Sequence, residues 1–330
     1  VWYPMGAAKA APSRNPRHFW RLGMQKANTL ENKHSFHYRM RRFFDSDGWW
    51  GFLFLLPVMI GFLVFIAYPM VDSLYLSLTN YSMKQNYRFV GLDNYAKIFT
   101  DDTASTVLKN TLIFTLCSVP LLIIIPVFLA CALNQKIHGV RFFRAVYFVP
   151  TMISMVATGI IWQWMFNAEF GIINYFLSLI GVKGPAWLTS KPWALIAVII
   201  TNVWKTLGYN MMLFLAGLQN VPSMYYEAAA LDGVNIWTRF RHITWPLLKP
   251  TTLFVTIMTI SSSFQVFDTI VVMTSGGPAR SSSVLVHYIY QCAFKFYKMG
   301  YACSLGWMLA AIIIVITAFQ FKADNRFSID

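Results

Sequence analysis

Charge is what this sequence has least of. Asp, Glu, Lys and Arg make up 12% of the 330 residues, about half the ~25% typical of a soluble domain. With 57% hydrophobic residues and a mean hydropathy of +0.50, that scarcity excludes a water-soluble globule. Cysteine is equally sparse. Cys117, Cys131, Cys292 and Cys303 form no metal-ligand spacing. Cys117 and Cys131 fall in an apolar run and read as small core residues. Cys292 and Cys303 are expected near the same face of the membrane, which leaves a disulfide open that sequence alone cannot fix. No G-x-x-x-x-G-K-[ST] loop occurs, so the chain cannot cradle ATP phosphates in that way. Neither a His-x-x-Glu-His nor a Ser/His/Asp arrangement stands out, and none of the six histidines falls in mid-span. A membrane hydrolase gains little support.

What is present in quantity is apolar sequence. Six runs, roughly 49–76, 108–133, 145–167, 193–219, 251–274 and 301–321, each approach the ~20 residues needed to cross ~30 Å of hydrocarbon. Backbone polar groups in lipid must be satisfied internally, and these runs are too long and evenly apolar for barrel strands. The predicted fold class is all-α: a polytopic transmembrane bundle of six spans. Pro57, Pro69, Pro120 and Pro126 are expected to kink the first two. The first run follows almost fifty residues, so it reads as a retained membrane helix rather than a signal peptide.

The net charge of +14 does not mark a nucleic-acid binder, because 9 of the 27 Lys and Arg precede residue 50. Basic groups beside a span read as a topology signal and as contact with anionic lipid. Over residues 33–46, Phe36, Met40, Phe43 and Phe44 recur at helical spacing opposite most of the arginines. That pattern predicts an interfacial helix within a basic tail, residues 1–48. With the N-terminus inside, the inner segments (1–48, 134–144, 220–250, 322–330) hold 17 Lys and Arg against 8 outside. The asymmetry favours both termini in the cytoplasm, with the six-span domain over 49–321 and a short tail over 322–330.

The longest polar interruption in the second half, residues 227–250, then faces the cytoplasm. Glu227-Ala228-Ala229-Ala230-Leu231 is a strong helix former, with a carboxylate suited to a helix start. Small alanines on one side admit a close partner. Gly233 allows a sharp turn or a positive φ, and Asp232 can cap either neighbouring helix. A second helix over about 235–243 is expected to stop at Pro246, with Pro250 setting the angle of the next span. Read alone, this is either an amphipathic connection resting on headgroups or a projecting helix–turn–helix.

The order Glu227-Ala228-Ala229, Gly233, Ile243, Pro246 resembles the signature loop of binding-protein-dependent ABC importer permeases. The usual Ile-x-Leu-Pro is here Ile243-Thr244-Trp245-Pro246, with Trp245 keeping a large apolar side chain. Further stretches resemble the carbohydrate-uptake branch: 90–95, Lys109-Asn110-Thr111, 143–150, Trp204-Lys205, 215–219, 264–268, Thr274-Ser275-Gly276-Gly277-Pro278 and Met299-Gly300-Tyr301. The Gly-Gly-Pro suggests the maltose-type F position of two paired permeases. The resemblance implies the importer permease fold in a prokaryotic inner membrane. It implies four partners: a second permease, a dimer of ATPases gripping the loop, an external solute-binding protein and a saccharide. ATP and Mg would bind the ATPase partner; no cofactor or metal is expected in this chain, which is not itself an enzyme.

Two charges fall inside the runs. On straight helices Lys205 lies ~21 Å from the inner end of the fourth run and Asp268 ~26 Å from that of the fifth, at 1.5 Å per residue. A charge at such depth costs ~2.5–3.5 kcal/mol on insertion scales unless paired or wet. One reading is an ion pair joining the two helices; the other places one or both on the sugar path, with Lys205 suiting an acidic saccharide. Gly208-Tyr209-Asn210 and Phe264-Gln265 match positions where the family takes its substrate contacts. Non-sugar cargo such as a glycerol phosphate, and an ion-coupled secondary transporter, stay open; the latter needs carboxylates at depth, of which Asp268 is the main candidate.

Overall fold

The computed structural model describes residues 47–82, 87–135 and 138–327. The interfacial helix expected over 33–46 lies outside them. The chain divides into two compact units, Val1–Val71 and Asp72–Asp330. In the first, α1 (Asp47–Phe62) continues through Pro57 into a π turn, Leu63–Ala67. There the Tyr68 N–H reaches back five residues to Leu63 O, just ahead of Pro69. Pro69 has no N–H to offer, so the wider turn absorbs the interruption. Helix α2 (Tyr68–Ser77) follows.

The second unit is helical, with no β-strand among the described residues beyond an isolated bridge at Thr79 and Phe89. After α3 (Asp93–Thr100), α4 (Asp102–Leu133) extends unbroken through Pro120 and Pro126. Helices α5 (Val140–Met152) and α6 (Met155–Met165) meet at a 100° bend, so the expected span over 145–167 is broken in its middle. Short α7 (Ile172–Leu179) leads to α8 (Lys191–Gln219). Then come α9 (Ser223–Leu231), α10 (Ile236–Arg239), a π turn Phe240–Thr244, α11 (Trp245–Leu247) and α12 (Lys249–Phe264). The expected span over 251–274 also breaks: Gln265 to Phe267 unwind, and Asp268 begins a separate helix, α13 (Asp268–Met273). Helices α14 (Leu285–Tyr290) and α15 (Met299–Phe327) end the unit.

Three described helices are long and apolar enough to cross a membrane, or up to five if the bent pairs α5–α6 and α10–α12 each count as one span. Helix α8 is not among them. Its 29 residues suffice in length, but Asn202, Lys205 and Asn210 interrupt its apolar character; Asn210 is buried and the other two are half-buried. Asn210 is 3% exposed; its amide donates to Leu122 O of α4 at 2.8 Å and to Thr259 Oγ1 of α12 at 3.1 Å. One side chain thus ties three helices together where water is excluded.

Buried apolar residues gather in three clusters. One joins α6, α8 and α13 around Trp162, Phe166 and Ile270. A second joins α14 and α15 to the start of α4. The third seats Leu248 against Phe214 and Leu218, where α4 and α8 both end. Cys117 is exposed and Cys131 half-buried, so neither is the core residue expected, and Cys292 and Cys303 are free thiols.

Candidate functional site

Residues 223–247 form a hairpin of helices whose turn follows from its sequence. Gly233 has φ +66°. The Val234 N–H reaches Ala229 O at 3.1 Å, and the Gly233 N–H reaches Ala230 O at 3.2 Å. Those two bonds, with a left-handed glycine after the cap, are the Schellman ending of a helix. The cap of the next helix is Asn235, whose side chain accepts from Thr238 N–H at 2.7 Å. Asp232 meets the helix end only through its own N–H; the capping expected of its side chain belongs to Asn235. Helix α9 starts at Ser223, which puts Glu227 in the second turn, where it is exposed and too far in to complement the helix dipole.

The second arm corrects another expectation. Pro246 does not stop the helix: residues Ile236–Leu247 continue through it, and the break of 69° falls at Leu248. A π turn again precedes the proline, with Trp245 N–H reaching Phe240 O. Aromatic packing fixes this arm. Phe240 lies between Trp237 at 5.7 Å and Phe128 of α4 at 5.6 Å, both stacked. Tyr226 of α9 faces Thr244 at 3.3 Å and carries Arg239 5.9 Å from its ring centre. Only alternation of apolar and basic residues hints at this packing in the sequence.

The outward side of the hairpin is apolar and uncovered. Leu231 is 90% exposed, Ile236 75% and Trp237 61%. Ala228 and Ala230 are exposed, while Ala229 faces its own chain; Ile243 and Pro246 are half-buried.

Lys205 and Asp268 do not pair. The Lys205 amine donates to the carbonyls of Pro150 at 3.2 Å and Thr151 at 3.4 Å, and to that of Ile153. At the bend after α5 the last carbonyls lose their usual partners four residues on; Pro150 O keeps the Ile153 N–H at 3.3 Å, and the ammonium caps the negative end of the helix. The helix break at Gln265 also removes the straight-helix depth assigned to Asp268, which is exposed. Of the other expected pathway residues, Tyr209 and Gln265 are exposed. Phe264 is 1% exposed, and Asn210 serves the helix contact above. A Cβ on Gly208 would meet Tyr147 O at 1.9 Å, so this glycine sets how closely α5 and α8 pack.

Several quoted stretches turn out to hold the frame. Asn110 donates to Arg280 O and Ser283 O, and Thr111 accepts from Leu285 N–H. Arg144 donates to Leu133 O at the end of α4. Asp101, before α4, accepts from the hydroxyls of Tyr288 at 2.7 Å and Tyr301 at 2.8 Å. Burial acts to raise its pKa, but these hydroxyls and the N–H groups of Thr103 and Ala104 outweigh it and leave Asp101 below the ordinary carboxylate value. A depressed carboxylate stabilises the fold above its unfolded pKa, ~3.9, and that contribution vanishes as pH falls through the lower folded value. Asp101→Asn should therefore lower the thermal unfolding midpoint throughout pH 5–8. The gap to wild type should close below about pH 4; a gap constant down to pH 3 would contradict the assignment.

The family described as "Binding-protein-dependent transport system inner membrane component" matches residues 106–328. The chain is 37% identical over 294 residues to the lactose transport system permease protein LacF of Rhizobium radiobacter, covering 87% of this chain and 97% of that one. It is 33% identical to the arabinooligosaccharides transport system permease protein AraP of Bacillus subtilis (strain 168), over 84% of this chain and 88% of the relative. Among solved structures, a chain of a bacterial ABC transporter involved in import of the acidic polysaccharide alginate superposes with a TM-score of 0.78 at 24% identity, over 87% of this chain and 99% of that chain.

Proposed function

This chain belongs to the family of binding-protein-dependent transport system inner membrane components, and from that premise we propose that it is one of two permease subunits of an ATP-driven saccharide importer. The family is the membrane component of such systems, and the chain is a multi-pass membrane protein. Saccharide cargo rests on the relatives that carry lactose and arabinooligosaccharides. In this reading the chain crosses six times with both termini in the cytoplasm, α8 being the span whose polar residues face its neighbours.

The observation that carries the reading is the uncovered apolar tip of the hairpin, Leu231, Ile236 and Trp237, on a base anchored by Phe240. A groove on a separate ATPase would bury them; headgroups under an amphipathic connection would also cover them, and loss of ATPase copurification when they are replaced favours the groove. The two ATPases close on ATP, move the hairpins as rigid bodies and switch the permease pair between inward- and outward-facing states. ATP drives the cycle only by its different affinity for those states. A solute-binding protein delivers the sugar. Tyr209, Gln265 and Asp268 are the pathway residues with exposed side chains; Lys205, committed to main-chain carbonyls, gives no reason to expect an acidic sugar.

Reconstitution tests this. Proteoliposomes with this chain alone should neither take up sugar nor respond to an ion gradient. Adding the second permease and the ATPase should give ATP hydrolysis that rises with loaded binding protein. Gradient-driven uptake by the chain alone would instead make it a secondary transporter.

A further inference from the structure

A cavity of about 360 Å³ opens between the loop after α13 and helix α14, apart from the hairpin and from Tyr209. Its chemistry is one-sided. Arg280, Lys295, His287 and Gln291 line it, with Ser275 and Ser283. His287 is buried, and burial first, then the charges of Lys295 and Arg280, hold its pKa below the ordinary value. The basic side chains Arg280 and Lys295 give the cavity its sign, and no carboxylate is among its lining residues.

The guanidinium is held in place. Arg280 lies 5.5 Å from the centre of the Tyr288 ring and donates to Gln291 Oε1 at 3.3 Å. Gln291 in turn faces His287, and His287 faces Ser283 Oγ at 2.9 Å. A guanidinium has five N–H groups, and among the described residues this one uses a single side-chain partner. The loop is fixed from below by Asn110 on Arg280 O and Ser283 O. Ser275, Ala279 and Arg280 all have positive φ, a conformation that side chains rarely take and that tends to persist where a site is preorganised. Beside the cavity, Phe294 is 55% exposed and Phe296 45%. Exposed aromatics around an arginine are the composition of a protein-docking core rather than of a solvated loop.

We propose that this cavity is a docking pocket for a carboxylate side chain of the solute-binding protein, received by the Arg280 fork and Lys295. Arginine binds a carboxylate through two parallel N–H···O bonds, and the aromatic rim covers the pair once the partner has landed. The proposal rests on the outward orientation of this loop in the importer reading above.

The test uses the full complex in proteoliposomes and the solute-binding protein that stimulates the wild-type ATPase, found by screening those of the same genome. Lys295 is exposed and its side chain makes no hydrogen bond among the described residues, so Lys295→Gln should fold normally. It should raise the binding-protein concentration for half-maximal stimulation about tenfold, as should Arg280→Gln, and leave the saturated rate unchanged. A zero-length carbodiimide, which joins an amine to a carboxylate, should link Lys295 to an Asp or Glu of the binding protein. An unshifted half-maximal concentration in Lys295→Gln with no Lys295 cross-link overturns the proposal. So does a shift in the sugar's KM alone, which would assign the pocket to a carboxylate on the cargo. If no binding protein stimulates the wild type, the importer reading fails first and takes this pocket with it.

Discussion

Gly233→Pro should abolish sugar uptake while leaving the protein in the membrane at close to wild-type amounts. Proline locks φ near −65°, and the hairpin turn needs φ +66° at this position. The two Schellman bonds from Gly233 and Val234 would be lost, and the arms of the hairpin could not fold back with Leu231, Ile236 and Trp237 on one side. Nothing lies within 4 Å of a Cβ placed on Gly233, so the effect is one of backbone conformation, not of crowding. Uptake should fall about 100-fold, the upper end of what losing a coupling free energy of ~3 kcal/mol gives. Gly233→Asn, which tolerates the left-handed region, should keep most of the activity. Copurification of the ATPase with each variant separates lost docking from lost folding. If Gly233→Pro transports normally, the hairpin does not couple.

Lys205→Met should destabilise the protein strongly, and Asp268→Asn should not. The two readings of this lysine make opposite statements about the aspartate. In an ion pair, removing either partner strands the other charge, so both variants would lose similar stability. Here Lys205 instead caps the carbonyl end of α5 at Pro150, Thr151 and Ile153. Its removal takes a charged donor from half-buried carbonyls, of which, among the described residues, Pro150 O alone keeps a backbone partner, at about 1–3 kcal/mol. Lys205→Arg keeps the charge and should restore part of the stability. Thermal unfolding in detergent reads all three. Equal losses in Lys205→Met and Asp268→Asn would return the pair.

Much of the hairpin was legible because its determinants are local. Ala-Ala-Leu-Asp-Gly announces a helix ending on a left-handed residue, and that ending is observed. The helical class and the first, second and last spans were legible for the same reason: long apolar runs need no tertiary information. The breaks were not. The bend between α5 and α6 falls at Ile153 and Ser154, and the break after Phe264 has neither glycine nor proline within Gln265-Val266-Phe267. Tertiary packing decides them. The partner of Lys205 was invisible because main-chain carbonyls carry no residue identity, so a search by opposite charge finds Asp268 instead. Pro246 misled in the other direction: like Pro69, it sits inside a helix that widens to a π turn just upstream, where a stop was expected. The stretches around Asn110, Thr111 and Arg144 could be quoted but not interpreted until their carbonyl and N–H partners were in view.

Helix α4 has one further consequence. At its start Asn110 and Thr111 grip the loop that carries Arg280; towards its end Phe128 receives Phe240 from the hairpin. Its 32 residues are continuous, a rod of about 48 Å. A helix gripped near both ends passes a push along its length, except where Pro120 and Pro126 let it bend. Thrust delivered to the hairpin must either tilt the rod, carrying the cationic loop with it, or be lost at those prolines or at the joint at Leu248. The stiffness of that joint then sets the gearing between the two faces of the molecule.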